Sequence, residues 1–523
     1  MSETQEVKKS RRAGGREARK ALRAAPLAED VRPVRPGLSG GQYKPLTDAD
    51  IREIHGAALQ ALEEIGLADA PDSGVDAMVA AGATYADDKR VRFPARLVEE
   101  MIAVAPKELT LCGRDPAYDM TIAGDRVHYG TAGAAVHIVD VEAREYREST
   151  VQDLYDAARI VEQMDNIHFF QRPMVCRDIE NNAEMDLNTV YAAVAGTKKY
   201  VATSFMEPEH VAPSLEMLHM IAGSEEAFRA RPFVGLSCTF VVPPMKYATE
   251  SCLVMEECIR GGMPILLLSA GQAGATSPAA IAGSVVQAVA ECLSGLVYVN
   301  SVKKGHPAIF GPWPFVSDLR SGAMSGGSGE QAILSAAVGQ MGKFYGLPTG
   351  SAAGMADAKM PDAQSGYEKG ITNVMAGLAG INLVYESVGM HASLLGFCME
   401  SLIIDNDMLG QCLRCVRGVE VNESTLSLET MRQVCLEGPG HYLGSQQTLG
   451  LMQSEYIYPK IGDRTSPKEW AEVGKPILVE TATKEKERIL SSFFPENISK
   501  DVDARIRERF KIHLPAARMR PSA

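Results

Sequence analysis

Ionisable side chains are densest where an apolar, glycine-rich run opens into a polar loop, in GLPTGSAAGMADAKMPDAQSGYEKG at residues 346–370. Asp357 and Glu368 supply carboxylates in this loop, and Lys359 and Lys369 supply ammonium groups. Carboxylates that follow a buried strand can stabilise a charged reactant. We predict that this network fixes the loop or meets a charged reactant, with Asp357 and Glu368 as the catalytic residues. The alternative is a solvated loop with local ion pairs.

A second concentration of chemically useful side chains is aromatic. The segment GHPAIFGPWPFVSD carries Trp313, one of only two tryptophans in the chain, between Phe310 and Phe315. Aromatic faces attract cations, and quaternary ammonium groups above all. We predict that these three residues contribute to a substrate-binding wall, and the alternative for each of them is ordinary packing.

Further candidates stand where other apolar segments end. The residues collected there also include Phe170, Phe205, Phe240 and Glu386. From this set we predict five more substrate-binding residues, which are Tyr129, Arg172, Gln272, Met355 and His391. For His391 a buried packing role is the alternative.

Several well-known sites are missing from the sequence. No HxxxH motif, P-loop or GxGxxG is present, and we predict no bound metal. Cys412 and Cys415 form the only CxxC, and without a second pair or a suitably spaced histidine it favours helix packing over a metal or redox role.

The candidate residues need a scaffold that brings strand ends together, and the middle of the chain supplies one. Eight apolar segments alternate with helix-length stretches, and they cover residues 127–133, 167–174, 200–205, 233–240, 264–271, 307–313, 347–354 and 382–389. Alternation of this kind requires a parallel sheet, and eight units permit closure. The sequence therefore predicts a TIM (β/α)8 barrel with its site at one rim. A doubly wound open sheet is the alternative, although its usual GxGxxG is absent.

The flanking segments differ from the barrel in composition. Residues 1–40 are basic and lack an apolar stripe, which predicts a mobile tail. Residues 41–125 predict an N-terminal α/β appendage, with a helix that starts from a capping pattern at Thr47. Residues 126–420 hold the barrel, and residues 421–523 predict a C-terminal helical extension.

Bulk composition narrows the class of protein. The chain has 523 residues, 46% of them hydrophobic, and a formal net charge of -13, which argues against a nucleic-acid binder. Apolar runs such as residues 265–270 are far shorter than the roughly 20 residues of a membrane span. The ten cysteines are scattered and sit mostly in apolar segments, as reduced thiols would. We expect a cytoplasmic, homo-oligomeric enzyme that binds neither nucleic acid nor membrane.

Three segments resemble one known family. They are SAGQAGATSPAAIAGSVVQAVAE, GEQAILSAAVGQMGKFYGLPTGSAAGMADAKMPDAQSGYEK and ESVGMHASLLGFCMESLIIDNDML, and they look like the trimethylamine methyltransferase (MttB) superfamily. The likeness covers most of residues 45 to 515. It implies a TIM barrel that passes a methyl group from an amine to the Co(I) of a separate corrinoid protein, so that the chain itself holds no cofactor.

One departure from the family pattern refines the expected substrate. Trimethylamine enzymes of the family carry pyrrolysine in the segment matching AAGMADAK, where this chain has Met355 and its neighbours. The chain is therefore similar to the non-pyrrolysine branch, which implies a quaternary amine such as glycine betaine. The carboxylate of a betaine would need Arg172, His391 or the backbone amides near Ser277. The alternatives are an enzyme for trimethylamine or another amine, a zinc-dependent barrel methyltransferase, and a non-catalytic betaine-binding protein.

Overall fold

A computed structural model describes residues 32–438 and 440–521 of the chain. Most of the predicted basic tail, residues 1–31, lies outside the described residues. By compactness the chain divides into two units. The larger unit contains Pro36–Val419 and the residues from Pro459 on, and the smaller one contains Glu420–Tyr458. The boundaries predicted at residues 41, 126 and 421 stay predictions.

The secondary structure mixes short strands with longer helices. The strands are β1 Leu38–Ser39, β2 Leu67–Ala68, β3 Thr84–Tyr85, β4 Arg90–Arg92, β5 Leu109–Leu111, β6 Met120–Ile122, β7 Arg126–Tyr129, β8 His137–Asp140, β9 Glu145–Glu148, β10 Phe170–Gln171, β11 Val201–Thr203, β12 Val234–Cys238, β13 Ile265–Ser269, β14 Gln272–Ala273, β15 Ala308–Pro312, β16 Phe315–Ser317, β17 Met324–Ser325, β18 Gly350–Ala352, β19 Leu383–Tyr385, β20 Met390–His391 and β21 Gly396–Phe397. The helices are α1 Asp48–Glu64, α2 Asp72–Ala80, α3 Ala95–Val104, α4 Val151–Glu162, α5 Asn182–Gly196, α6 Val211–Ala222, α7 Glu225–Ala230, α8 Thr249–Gly261, α9 Ile281–Val302, α10 Gly329–Phe344, α11 Ala363–Leu378, α12 Met399–Arg417, α13 Leu428–Arg432, α14 Gln446–Leu451, α15 Pro467–Glu472, α16 Leu478–Ser492 and α17 Lys500–Arg509.

Eight of the strands that pair in parallel coincide with the eight predicted segments, although β7 begins one residue before its segment, at Arg126. Strands β10, β11, β12, β13 and β15 form one sheet in that order, and β7, β19 and β18 form part of another. Single parallel bridges, Gly130 to Phe169 and Phe310 to Thr349, join β7 to the β10 edge and β15 to the β18 edge. The eight predicted strands and the α/β class are thereby confirmed.

The parallel strands are buried on both faces, which explains their continuous apolar sequences. Every residue of β12, β13 and β15 is buried. Parallel strands covered by helices read as unbroken apolar runs, whereas a half-exposed strand alternates. The apolar runs that marked these segments in the sequence follow directly from this burial.

Helix α9 is the one described helix that is long and apolar enough to cross a membrane. However, 72% of its most apolar window is buried inside the structure, where it packs on α1, α2, α3 and β15. It is thus placed as a core helix, which is consistent with a soluble protein. It begins at Ile281 with Ala280 as its N-cap.

Outside the parallel strands, the N-terminal part combines helices with a small sheet. Helix α1 begins with a capping box, in which the Thr47 side chain accepts from Asp50 N and the Asp50 carboxylate accepts from Thr47 N. Its buried face contains Ile51, Ile54 and Leu62. Strands β2, β3 and β4 form a small antiparallel sheet beside it.

The last helices of the larger unit are anchored through backbone carbonyls. The guanidinium of Arg159 in α4 donates from Nε to Phe493 O at 2.9 Å, just past α16. The Asn188 amide in α5 donates to Lys511 O at 2.9 Å, just past α17. Helices α16 and α17 therefore belong to the outer layer that covers the parallel strands.

Candidate active site

A cavity of about 330 Å³ opens at the carboxyl ends of the parallel strands. Its polar and aromatic lining includes Gln171, Arg172, Ser237, Trp313, Phe315 and Glu386. Gln171 ends β10, Ser237 lies in β12, and Trp313 and Glu386 directly follow β15 and β19. The carboxyl ends of strands are where (β/α) enzymes place their active sites, so we take this cavity as the candidate site.

Glu386 is the most unusual residue of the cavity. Its side chain is fully buried, and neither carboxyl oxygen has a hydrogen-bond partner among the described residues. Burial raises the pKa of the Glu386 carboxyl to about 8, because the charged form is poorly solvated there. An unpaired buried carboxyl costs stability and is a frequent mark of a functional site.

The backbone of Glu386 is also strained, with φ at +61° in the left-handed region. Its neighbour Ser387 fixes this conformation from both sides. Ser387 N donates to Gly130 O at 3.1 Å, and Asn373 Nδ2 donates to Ser387 O at 3.0 Å. Strain of this kind persists only where the surroundings determine the conformation. The fold thus holds the carboxyl in the cavity at a cost.

Trp313 and Phe315 form an aromatic wall in the same cavity. The Trp313 ring lies 5.2 Å from the Tyr385 ring and 6.4 Å from the Phe315 ring, centroid to centroid. Trp313 N donates to Ser269 O at 2.7 Å and Phe315 N to Gly271 O at 2.8 Å, so the wall is tied to the end of β13. The indole Nε1 has no partner among the described residues. These rings offer a preformed apolar and electron-rich surface.

Arg172 brings a positive charge to the cavity. Burial lowers the pKa of its guanidinium, and the nearby carboxylate of Asp186 opposes that shift. Asp186 is itself held by Met206 N at 2.8 Å and by the His210 ring at 2.7 Å. Arg172 lines the cavity, so its positive charge lies where an anionic group could bind.

Gln171 supplies a hydrogen-bonding site next to Arg172. Its Nε2 donates to Ser237 Oγ at 2.8 Å, while its Oε1 is buried without a partner among the described residues. The cavity therefore combines a carboxyl, an aromatic wall, a guanidinium and a buried amide. Such a set can hold a ligand that carries both signs of charge.

Asp357 is placed in a junction of three loops. Its Oδ1 accepts from Gly326 N at 2.8 Å and from Ser393 Oγ at 2.6 Å, and its Oδ2 accepts from Ser325 Oγ at 2.6 Å. Ser325 belongs to β17, next to the strand that starts at Phe315, and Ser393 lies between Glu386 and Leu394, which both line the cavity. Asp357 thus ties together the two segments that carry the aromatic wall and the buried carboxyl.

Glu368 holds Asp357 in turn. Its Oε2 accepts from Asp357 N at 2.8 Å and from Ala358 N at 3.2 Å, and its Oε1 accepts from Gln364 at 2.8 Å. Neither Asp357 nor Glu368 lines the cavity. These contacts support the interpretation in which the charged network fixes the loop. A catalytic role for Asp357 or Glu368 stays a prediction.

The remaining predicted residues are not part of the cavity lining. Phe310 is fully buried against Tyr345, and the Tyr129 hydroxyl donates to Asn373 O at 2.9 Å. Met355 is fully buried beside Gly326, and Gln272 Oε1 accepts from Ser317 Oγ at 3.0 Å. Their roles in substrate binding stay predictions.

His391 does not line the cavity and lies in a buried polar network. Its Nε2 is 2.7 Å from Ser401 Oγ and 3.4 Å from Lys369 Nζ, and Lys369 pairs with Asp405 at 2.7 Å. Burial and the Lys369 charge hold the pKa of His391 well below its usual range. Asp405 also accepts from Gly389 N at 2.8 Å, so this network supports the loop that follows Glu386.

No group of three or more His, Cys, Asp or Glu side chains in residues 32–438 and 440–521 is arranged to hold a metal ion. The CxxC cysteines both lie in helix α12, with Cys412 buried and Cys415 exposed.

Comparison with known proteins decides the family. The family described as "Trimethylamine methyltransferase (MTTB)" matches residues 12–512. The chain belongs to the trimethylamine methyltransferase family. It is therefore a methyltransferase by descent, and the resemblance in the sequence is confirmed.

Two curated relatives cover nearly the whole chain. "Trimethylamine methyltransferase MttB" of Desulfitobacterium hafniense (strain DSM 10664 / DCB-2) is 29% identical, over 90% of this chain and 93% of its own. "Glycine betaine methyltransferase" of D. hafniense (strain Y51) is 28% identical, over 89% of this chain and 96% of its own. Among solved structures, the monomethylamine methyltransferase of Methanosarcina barkeri aligns with 12% identity and a TM-score of 0.45, over 90% of this chain and 92% of its own.

Part of the cavity lining could be predicted from the sequence. It selected Arg172, Trp313 and Phe315, which line it, and it collected Glu386 at a strand end without selecting it. Gln171 and Ser237 were missed altogether. The signal for Glu386 was a single acidic residue in the apolar run INLVYESVGM, because a lone carboxylate at the end of a buried strand is expensive.

Proposed function

We propose that this protein moves a methyl group from a quaternary amine, glycine betaine or a related zwitterion, to the Co(I) of a separate corrinoid protein. The observation that carries the proposal is the unpaired carboxyl of Glu386 beside the Trp313 wall. A quaternary ammonium group has no N–H to donate, so an acidic and aromatic surface is what can hold it.

A quaternary substrate needs no general acid for its leaving group. The corrinoid supplies Co(I) as the nucleophile that takes the methyl group. A quaternary nitrogen already carries the positive charge that lets it leave as a neutral tertiary amine. Trp313, Phe315 and Glu386 would then hold the cation with one methyl group directed at the cavity opening, and positioning would supply much of the rate.

Arg172 favours a substrate with an anionic end. A guanidinium binds a carboxylate through charge-assisted hydrogen bonds. In a betaine, the ammonium group would lie toward Glu386 and the carboxylate toward Arg172, whose charge would be left uncompensated by trimethylamine. Gln171 and the Trp313 Nε1 supply further polar atoms for the carboxylate end.

We further infer that the two parallel sheets form one closed (β/α)8 barrel. The single bridges at both sheet edges support closure, because they complete a cycle of eight parallel neighbours. Closure would gather the ends of β10, β12, β15 and β19 around one cavity. The proposed corrinoid partner would approach that opening, and we place the reaction in the cytoplasm.

The test is methylation of free Co(I) cobalamin by the purified protein, followed by the visible spectrum. Glycine betaine, carnitine, proline betaine and trimethylamine are offered separately, with tetramethylammonium as a cation without a carboxylate. Turnover with a betaine and not with trimethylamine supports the proposal. Turnover with trimethylamine alone contradicts the substrate, and tight betaine binding without methyl transfer to Co(I) or to a corrinoid protein indicates a binding protein.

A further inference from the structure

The turn between the antiparallel strands β20 and β21 has a backbone that its residues do not favour. Ala392, Ser393 and Leu394 follow one another with φ at +50°, +51° and +78°, all in the left-handed region. Hairpin turns that need such φ values usually place glycine, asparagine or aspartate there, because other side chains are strained in this region. None of the residues in this run belongs to that group. The turn therefore costs the folded protein free energy that a different sequence would avoid.

Contacts with the loop after β18 hold the turn in this conformation. Ala392 N donates to Ala358 O at 3.0 Å, and Ser393 N donates to Ala356 O at 3.1 Å. The Ser393 hydroxyl donates to Asp357 Oδ1 at 2.6 Å. These partners are distant from the turn in sequence, so its conformation is imposed by the tertiary structure and is not a preference of the turn itself.

The imposed conformation accompanies a leucine in the wall of the candidate site. Leu394 lines the cavity together with Glu386 and Trp313. The next residue, Leu395, is 59% exposed and is not part of the lining. Residues that break the local rules of a turn are commonly found where a functional group has to be placed. A leucine supplies only bulk and apolar surface, so its contribution to the site is the shape of the cavity.

Ordinary packing is the other explanation for Leu394. Packing does not explain why the residue is strained, since the free energy that a partly buried leucine gains is reduced by the cost of its backbone. The two explanations differ in what the side chain does to a ligand. A residue that only packs leaves the preferred size of the ligand unchanged, whereas a residue of the cavity wall sets it.

We propose that Leu394 is a specificity-determining residue, which restricts the cavity to ammonium ions whose nitrogen carries substituents as small as methyl groups. Its side chain packs against the substituents of the ammonium group that Glu386 and Trp313 bind. An ethyl group in place of a methyl group meets this side chain, and one methylene in an apolar pocket changes selectivity by about 10–200-fold. The proposal rests on the proposed function, because it requires a cavity that binds quaternary ammonium ions.

The test compares tetramethylammonium with tetraethylammonium by calorimetric titration of the purified full-length protein at one fixed pH. The wild type is expected to bind tetramethylammonium more tightly. In Leu394→Ala and Leu394→Gly the ratio of the two dissociation constants should shift toward tetraethylammonium by at least tenfold. Leu395→Ala truncates the same kind of side chain at the adjacent residue outside the lining, and it should keep the wild-type ratio.

The two Leu394 variants also test the strain. Both remove the branched end of the side chain, but only glycine relieves the left-handed backbone, so Leu394→Gly should unfold at a higher urea concentration than Leu394→Ala. At an unstrained position the order is reversed, because glycine gains more freedom in the unfolded chain. A glycine variant that unfolds at the same or a lower urea concentration contradicts the strain on which the proposal is built.

Three further results would overturn the proposal: a wild type that prefers tetraethylammonium, folded Leu394 variants with the wild-type ratio, or a Leu395→Ala variant that shifts the ratio equally. If the smaller variants fail to fold, Leu394→Phe replaces them. It should weaken tetraethylammonium binding further relative to tetramethylammonium, and an unchanged ratio contradicts the proposal. A wild type that binds neither ion refutes the proposed function as well, whereas tetramethylammonium binding with unaltered selectivity in the variants refutes only the role of Leu394.

Discussion

Exchanging Glu386 for glutamine should remove the dependence of cation binding on pH. In the ligand-free protein, burial raises the pKa of this carboxyl to about 8, so it is mostly protonated at neutral pH. A permanent cation binds the ionised form, and that form must first release a proton. Affinity in the wild type should therefore rise with pH up to about 8 and level off above it.

The size of this effect follows from the ionised fraction. With a pKa of about 8, about 1% of Glu386 is ionised at pH 6 and half at pH 8. The affinity for tetramethylammonium should then rise about 50-fold between these values, which is about 2.3 kcal/mol. One proton should leave for each cation bound at pH 6. In Glu386→Gln the affinity should be low and independent of pH.

Tetramethylammonium is the suitable probe because it has no titrating group and no carboxylate for Arg172. Binding can be followed through the fluorescence of Trp313 in a Trp470→Phe background, since these are the only two tryptophans. Trp470 lies in α15, where its Nε1 donates to Pro476 O at 2.9 Å. Calorimetry in buffers with different ionisation enthalpies counts the protons.

The reasoning fails if the wild type binds tetramethylammonium equally at pH 6 and pH 8, or if Glu386→Gln keeps the slope. The first result would mean that the carboxyl is already ionised in the empty cavity. The second would assign the slope to another group. Circular dichroism and a urea titration of each variant check that the fold is retained.

The remaining predictions concern stability and the other cavity residues. Glu386 keeps its proton up to about pH 8 in the folded chain but loses it near pH 4 in the unfolded chain. Between those pH values the free energy of unfolding of the wild type should therefore fall by about 1.4 kcal/mol per pH unit relative to that of Glu386→Gln. Urea titrations of both proteins measure this difference. Trp313→Leu should weaken tetramethylammonium binding by about tenfold or more, and Trp313→Phe by less, in calorimetric titrations; equal losses would remove the ring from the site. Arg172→Met should lower the affinity for glycine betaine at least tenfold and leave tetramethylammonium unaffected, and a parallel loss would contradict the assigned carboxylate contact. Asp357→Ala leaves the Ser325 hydroxyl and its neighbours without an acceptor, so it should lower the free energy of unfolding in urea by about 1–3 kcal/mol and raise KM. Asp357→Asn should keep most of the wild-type stability and a KM close to that of the wild type.

The fold was accessible from sequence because its signals are local. Strands buried on both faces produce continuous apolar runs, and β12, β13 and β15 are buried at every residue. Capping at Thr47 likewise depends on side chains three residues apart. Strands β14, β16 and β17 were not expected, since they are only two or three residues long; β14 pairs with β16 in parallel, and β16 pairs with β17 antiparallel.

The functional site was less accessible, because charge density in a sequence does not distinguish a reacting carboxylate from one that holds loops together. Asp357 and Glu368 attracted attention through their charged neighbours, yet the Asp357 carboxylate accepts hydrogen bonds from Ser325 and Ser393, which lie more than 30 residues away in sequence. No spacing rule brings such donors together.

Glu386 presents the opposite case, and it indicates a better criterion. It has no charged neighbour in sequence, and the structure gives its carboxyl no partner among the described residues. A carboxyl whose hydrogen bonds are made within the protein, like that of Asp357, stabilises the folded chain. A buried carboxyl without a partner destabilises the folded chain, and a ligand that completes it would offset that cost. The unpaired Glu386 at the end of an apolar strand is therefore a stronger indication of a cation site than the loop after β18, whose carboxylates accept several hydrogen bonds.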